Sequence, residues 1–201
     1  MTLVVARHLL TMKTCTFVTG NPNKVIEVSA ILGESIPIEP LALDIPEIQG
    51  TLEEIARDKC RRAARVVDGP VIVEDSALEF NSMNKLPGPY IKYFLESLGN
   101  DGLYKLLYSY TDKSAQAVCT FAFTTGPAMD PIIFQGKLEV CKKNKPEVSK
   151  CSYIQIGSFR AILYLQGGHP CLNKLSHRYK ALVKFQEWLR SQDTSKLENS
   201  S

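Results

Sequence analysis

The chain has 201 residues, 44% of them hydrophobic and 22% charged, with 12 glycines and 11 prolines. These proportions describe one compact globular domain, or at most two small lobes sharing a core, and exclude collagen, coiled coil and extended disorder. No run of about eighteen apolar residues exists to cross a membrane, and a formal charge of +3 is small for a nucleic-acid binder. Six cysteines, at 15, 60, 119, 141, 151 and 171, include no CxxC pair. A chain this long can bury a core without disulfide staples, so a reduced cytoplasmic protein is expected.

Residues 1–14 read as a flexible leader: the apolar stretch of MTLVVARHLLTM is too short for a secretory core and lacks a small-residue cleavage site. The absence of acids before Glu27 leaves an organellar-targeting reading open. Cys15-Thr16-Phe17-Val18 predicts a buried strand, followed by a turn at Thr19-Gly20-Asn21-Pro22-Asn23. Apolar residues at Val25, Val28, Ile31 and Leu32 then predict a helix over 24–32. Thr51-Leu52-Glu53-Glu54 has the pattern of a capping box and opens a helix to about Val67. Residues 70–75 predict a short apolar strand closed by Glu74 and Asp75, residues 90–98 and 102–108 two helices, 117–125 a strand and 179–189 a last helix. Strands alternating with helices indicate an α/β domain over 15–190, followed by a polar tail at 191–201.

The strand, turn and helix around Thr19, Gly20, Asn21 and Lys24 suit a phosphate, because a turn aims free N–H groups outward and a helix start adds positive charge. It lacks the GxxxxGK[ST] of a Walker loop, and an ordinary β-α turn capped by Asn21 fits the same residues. Glu47, Glu74 and Asp75 offer the hard oxygen donors by which Mg²⁺ is held beside substrate phosphates, or a solvated acidic loop and strand end. Lys92, after Leu86-Pro87-Gly88-Pro89, opposes the dipole at its helix start and so calls for a nearby anion. Lys59 lies on the second helix, where a solvated face is the plainer reading. Ser176, His177 and Arg178 open the last helix without GxSxG or a triad context, which favours anion or base contacts over a serine nucleophile. Three lysines, an arginine, a phosphate-type turn and three carboxylates together point to a site for a magnesium-bound polyphosphate.

FVTGNPNK (17–24), IPEIQG (45–50), GPVIVEDSALEFN (69–81), LPGPYIKYFLE (86–96), DKSAQAVCTFA (112–122) and LSHRYKAL (175–182) resemble the inosine triphosphate pyrophosphatases, the Ham1 or non-canonical purine NTP pyrophosphatase family. The resemblance implies an elongated, two-lobed mixed sheet flanked by helices around a central nucleotide cleft. It also implies a homodimer that hydrolyses ITP, dITP and XTP to the monophosphate and pyrophosphate with Mg²⁺, or Mn²⁺ in its place. Carried over by motif, Thr19, Gly20, Asn21 and Lys24 cradle the triphosphate, and Glu47 and Asp75 hold the metal. Asp75, Glu47 and Glu74 form the catalytic set, with Asp75 favoured as acceptor of the water proton and Glu74 and Ser76 flanking it. Lys59 and Lys92 neutralise phosphate charge, while His177 and Arg178 approach the base.

From Val140 to Leu172 the resemblance stops. Where relatives carry a Phe-Gly-Trp-Asp-Pro loop that reads the purine, this chain has CKKNKPEVSKCSYIQIGSFRAILYLQGGHPCL, and its one tryptophan is Trp188 in the last helix. An abrupt loss and abrupt recovery fits a translated frameshift or misjoined exon, an isoform with a damaged base pocket, or a replacement with different base specificity. An alternate frame of the window's DNA that encodes a Phe-Gly-Trp-Asp-like segment is the outcome the frameshift reading expects. Ile154, Ile156, Phe159, Ile162 and Leu163 either improvise a strand or leave apolar surface exposed, in what is expected to be the least well-packed part of the molecule. Residues 141–172 carry five Lys/Arg (142, 143, 145, 150, 160) against one acid, Glu147, a net of +4 that leaves −1 for the remainder. The basic balance therefore belongs to the atypical stretch and does not argue for nucleic acid.

Overall fold

A computed structural model describes residues 14–33, 36–140, 152–156, 159–163 and 176–194, with side chains for 14–33, 36–139 and 176–192. Strand β1 (Cys15–Val18) leads through Asn21 into helix α1 (Pro22–Leu32). The Asn21 side chain accepts a hydrogen bond from the Asn23 amide at 3.0 Å, and Pro22 takes the first helical turn, where its missing N–H costs nothing. After the edge strand β2 (Ile38–Leu41), helix α2 (Leu52–Val67) starts on the predicted box: Glu54 N–H donates to Thr51 Oγ1 at 3.2 Å and Thr51 N–H to Glu54 Oε2 at 2.8 Å. It ends at Asp68, whose φ of 51° supplies a left-handed cap.

Strand β3 (Val71–Phe80) runs five residues beyond its predicted end, because Ala77, Leu78 and Phe80 resume an apolar pattern after the acids. Strand β4 (Pro87–Gly88), helix α3 (Ile91–Leu106), strands β5 (Ala115–Thr124) and β6 (Ile132–Val140), and helix α4 (His177–Thr194) complete the main body. Helix α3 is interrupted at Gly99 (φ 64°), between the two helices expected there. Helix α4 starts two residues before the predicted helix and continues into the stretch read as tail.

The sheet order is β2-β1-β3-β5-β6, with β4 against the far half of β3. Strands β2 and β3 flank β1 in parallel, and β3-β5, β5-β6 and β3-β4 are antiparallel. On one face, Val28 and Leu32 of α1 and Ala181, Leu182 and Phe185 of α4 pack on Phe17, Ile72, Phe121, Phe123 and Phe134. Trp188 joins this core, 5.7 Å from Phe123 and 5.8 Å from Phe134 between ring centroids. On the other face, Ala56, Cys60, Ala63 and Ala64 of α2 cover Val18, Val71, Val73 and Ala122. At the far end, α3 packs Ile91, Leu95 and Leu103 on Leu78, Phe80, Ala115 and Ala117. The expected two-lobed mixed sheet is thus present, with one strand pair running through both ends.

In the atypical window, strands β7 (Ser152–Ile156) and β8 (Phe159–Leu163) form an antiparallel pair separate from the main sheet. Their backbones give the improvised strands expected there; their packing lies outside the described residues, as do the leader and most of the tail. Cys15, Cys60 and Cys119 are buried and free, and burial pushes the Cys60 thiol up to about 12. Among the described residues no helix is long and apolar enough to cross a membrane.

Candidate active site

The site grows from a gap in the sheet. Along one edge of β3, residues 71–73 pair with β1 and residues 78–79 with β4. Between them, residues 74–77 pair only with β5, leaving a notch bordered by the β1-α1 turn. A strand alternates its side chains, so Glu74 points to the face carrying α1 and α4 and Asp75 to the face carrying α2. Two carboxylates adjacent in sequence serve two separate environments.

On the α2 face, Lys59 Nζ lies 2.6 Å from Asp75 Oδ1 and 3.0 Å from Glu47 Oε1. Helix α2 brings the lysine to β3, and the loop after β2 brings the half-exposed Glu47. Asp75 Oδ2 is buried with no hydrogen-bond partner among the described residues, although one fifth of the side chain's surface remains open. Burial pushes the Asp75 carboxyl above its ordinary 3.8, outweighing the pull of Lys59. For Lys59, burial acts downward, but Asp75 and then Glu47 overcome it and hold the ammonium charged. Two carboxylates therefore share one cation, and burial works against the charged form of Asp75.

On the opposite face, Glu74 is fully buried and surrounded by donors. Lys24 Nζ is 2.6 Å from Oε2, Ser76 Oγ donates to Oε1 at 2.6 Å, Cys119 Sγ stands 3.3 Å from Oε1, and Arg178 Nη2 is 3.5 Å from Oε1. Arg178 Nη1 also donates to Glu27 Oε2. Burial would raise the Glu74 carboxyl, but Lys24 and Arg178 hold it well below the usual range. His177 is buried beside them, its two ring nitrogens without hydrogen-bond partners among the described residues. Burial first, then the Arg178 charge, lowers its pKa from 6.5 to about 4, so it is neutral at physiological pH. Helix α4 begins directly on β6: a Cβ at Gly136 would stand 1.9 Å from the His177 carbonyl oxygen.

Chemically, this is a phosphate-type turn beside a notch with two acidic faces and three buried or half-buried cations. The sequence profile of the Ham1 family matches residues 15–143. The chain belongs to the Ham1 family. It is 53% identical over 178 residues to a protein named inosine triphosphate pyrophosphatase from Ajellomyces capsulatus, covering 89% of this chain and 97% of that one. A protein of the same name from Neurospora crassa is 48% identical over 193 residues, covering 94% and 97%. Two solved Ham1 proteins share the fold. The one from Coxiella burnetii has a TM-score of 0.72 at 22% identity, covering 89% of this chain and all of that one, and the one from Staphylococcus aureus 0.69 at 24%, covering 88% and 99%. The family profile ends close to where the motif resemblance stops.

Within this Ham1 chain, the structure brings Glu47, Lys59 and Asp75 into one cluster and Lys24, Glu74, Ser76, His177 and Arg178 into another. Thr19, Gly20 and Asn21 form the turn beside the notch, with the Asn21 amide donating to Thr19 Oγ1 at 3.1 Å. A Cβ built at Gly20 meets nothing within 4 Å, so open space lies over the turn. Lys92 is exposed, with Nζ 6.0 Å from the centroid of its neighbour Tyr93, and contacts neither cluster. The described residues contain no group of three His, Cys, Asp or Glu able to hold a metal; the two-carboxylate pair at Lys59 is the hard-oxygen donor set present. Ser176 Oγ accepts from the Tyr179 amide at 2.9 Å and so caps α4. Sequence reasoning passed over Glu27, whose only trace was its i,i+3 spacing from Lys24, and Gly136, which left none.

Proposed function

We propose that this protein hydrolyses non-canonical purine nucleoside triphosphates (ITP, dITP and XTP) to the monophosphate and pyrophosphate, removing them from the nucleotide pool. The observation that carries the reading is identity near one half, across nearly the whole length, to relatives named inosine triphosphate pyrophosphatase. The notch supports it, with Glu47, Lys59 and Asp75 gathered beside the β1-α1 turn.

Glu47 and Asp75 would hold a divalent metal, Mg²⁺ or Mn²⁺ in its place. The unpartnered buried Oδ2 of Asp75 and the shared Lys59 charge both fit a cation there. The metal when bound supplies charge neutralisation at the phosphates. Asp75 accepts the proton of the attacking water as the favoured carboxylate of the set. Thr19, Gly20, Asn21 and Lys24 cradle the triphosphate, Lys59 and Lys92 neutralise its charge, and Ser76 flanks the carboxylates. His177 and Arg178 border the base, whose 6-oxo group accepts hydrogen bonds that the adenine amino group does not. A cytoplasmic homodimer belongs to the same reading and rests on the motif resemblance.

A second reading is a catalytically impaired or base-unselective nucleotide-binding isoform, favoured by the family match ending at 143 and by the missing purine-recognition loop. Pyrophosphate release from ITP, dITP, ATP and GTP in Mg²⁺ separates them. Preference for ITP and dITP is expected, equal rates on ATP favour the second reading, and no release from a folded protein overturns the enzyme.

A further inference from the structure

We infer that Glu74 is a positioning residue that ties two substrate-binding helices together, fixing Lys24 of α1 and Arg178 of α4 from the face of the sheet opposite the metal and the water. The inference rests on the functional reading above. Strand alternation separates Glu74 from Asp75, and the Glu74 side chain has no exposed surface. Its oxygens are already occupied: Oε2 meets Lys24, while Oε1 meets Ser76, Cys119 and Arg178. Buried and ion-paired to Lys24, this carboxylate is closed to bulk solvent, although Oε2 makes no hydrogen bond among the described residues.

What Glu74 does reach is one cation from each of two helices distant in sequence. Lys24 sits in the first turn of α1, beside the phosphate-type turn, and Arg178 in the first turn of α4. Glu27 takes the other arm of Arg178, so two carboxylates and two cations form a closed, charge-balanced set. Without Glu74, Lys24 would keep a buried stem and lose its counter-ion, and Arg178 would be held from one side only. Long cationic side chains are rotamer-rich, and a fixed partner removes that freedom before the substrate arrives.

Three measurements test this on the full-length chain: KM and kcat for ITP, ITP affinity by calorimetry, and Mn²⁺ affinity without nucleotide. Glu74→Gln, similar in shape but uncharged, is expected to raise KM and the ITP dissociation constant about tenfold or more. Its kcat and Mn²⁺ affinity should stay within about threefold. Glu74→Asp, which keeps the charge and withdraws it by one methylene, should fall between wild type and Gln, and it serves alone if Glu74→Gln does not fold. A variant that is only destabilised loses folded fraction and leaves the KM of the folded molecules unchanged. Weakened Mn²⁺ binding would make Glu74 a metal ligand, and a hundredfold loss of kcat at constant KM would put it at the reacting atoms. Either result, or unchanged ITP affinity, overturns the assignment. If the wild-type chain itself neither binds nor hydrolyses ITP, the functional reading fails and takes this inference with it.

Discussion

Glu74 and Asp75 share a peptide bond and little else. Glu74 lies under two cations in the layer between the sheet and α1/α4, while Asp75 shares one lysine with Glu47 and keeps a fifth of its surface open. The charge states follow from those neighbours: both carboxylates are desolvated, but only Glu74 has enough positive charge around it to be held well below the usual range. One side is built for permanence and the other for exchange of protons and ligands. Within a strand, adjacency in sequence guarantees separation in space.

The most severe way to break this contrast is Asp75→Asn. The carboxamide cannot take a proton, and pyrophosphate release from ITP should fall by about 10²–10⁴-fold, in the range of a lost general base. Lys59 retains Glu47 as partner, so the melting temperature should move by only a few degrees; retained turnover would remove Asp75 from the chemistry.

His177 sharpens the comparison from the Glu74 side. It is faced by Arg178, Glu74, Lys24 and Lys180, and its folded pKa of about 4 lies below its ordinary 6.5. The unfolded chain therefore takes up the proton first as pH falls. The neutral imidazole's contribution is complete above about pH 6.5 and is lost progressively toward pH 4, by about 3 kcal/mol at most. Urea denaturation at pH 7.5 and pH 5 should show a larger loss for wild type than for His177→Gln.

Gly136→Ala is the mildest perturbation. Its Cβ would meet two backbone atoms of α4, the His177 oxygen at 1.9 Å and the Ala181 nitrogen at 2.5 Å, so the helix start must move. A cost of about 1–3 kcal/mol is expected, read as a drop in melting temperature of about 2–4 °C per kcal/mol. ITP affinity should fall with it, because Arg178 rides on the displaced turn; an unchanged melting temperature would mean that the seat on β6 is loose.

Much of the scaffold was legible because its signals are local. The Thr51/Glu54 box and β1 need only neighbouring residues, and both appear where the spacing predicts them; α1 begins at Pro22, two residues before the helix read from the apolar spacing, because Asn21 caps it and Pro22 fits its first turn. The α/β class followed from their alternation. Strand β3 was ended too early because two consecutive acids look like a strand end, and their opposite faces become apparent only when the strand continues. β2, β4 and β6 went unrecognised: β2 is a four-residue edge containing Pro40, β4 has two residues, and β6 mixes Gln135, Gly136 and Lys137 into its apolar run. Lys59 looked like a residue of a solvated face until β3 supplied Asp75 beneath it. The partners of Arg178 were invisible for a simpler reason: Glu27 lies 151 residues away, and no local spacing encodes such a pair.

The notch in β3 also has a mechanical consequence. Strands β3 and β5 pair at ten consecutive positions, from Val71 opposite Thr124 to Phe80 opposite Ala115. The α2-covered end and the α3-covered end are thus joined by a continuous two-stranded ribbon instead of a flexible loop. Such a ribbon resists bending in its plane because that would stretch its ladder of hydrogen bonds, and it yields most readily in twist. Asp75 is thus carried on a ribbon paired along its whole length with β5, the same ribbon that links the two ends of the sheet across the notch.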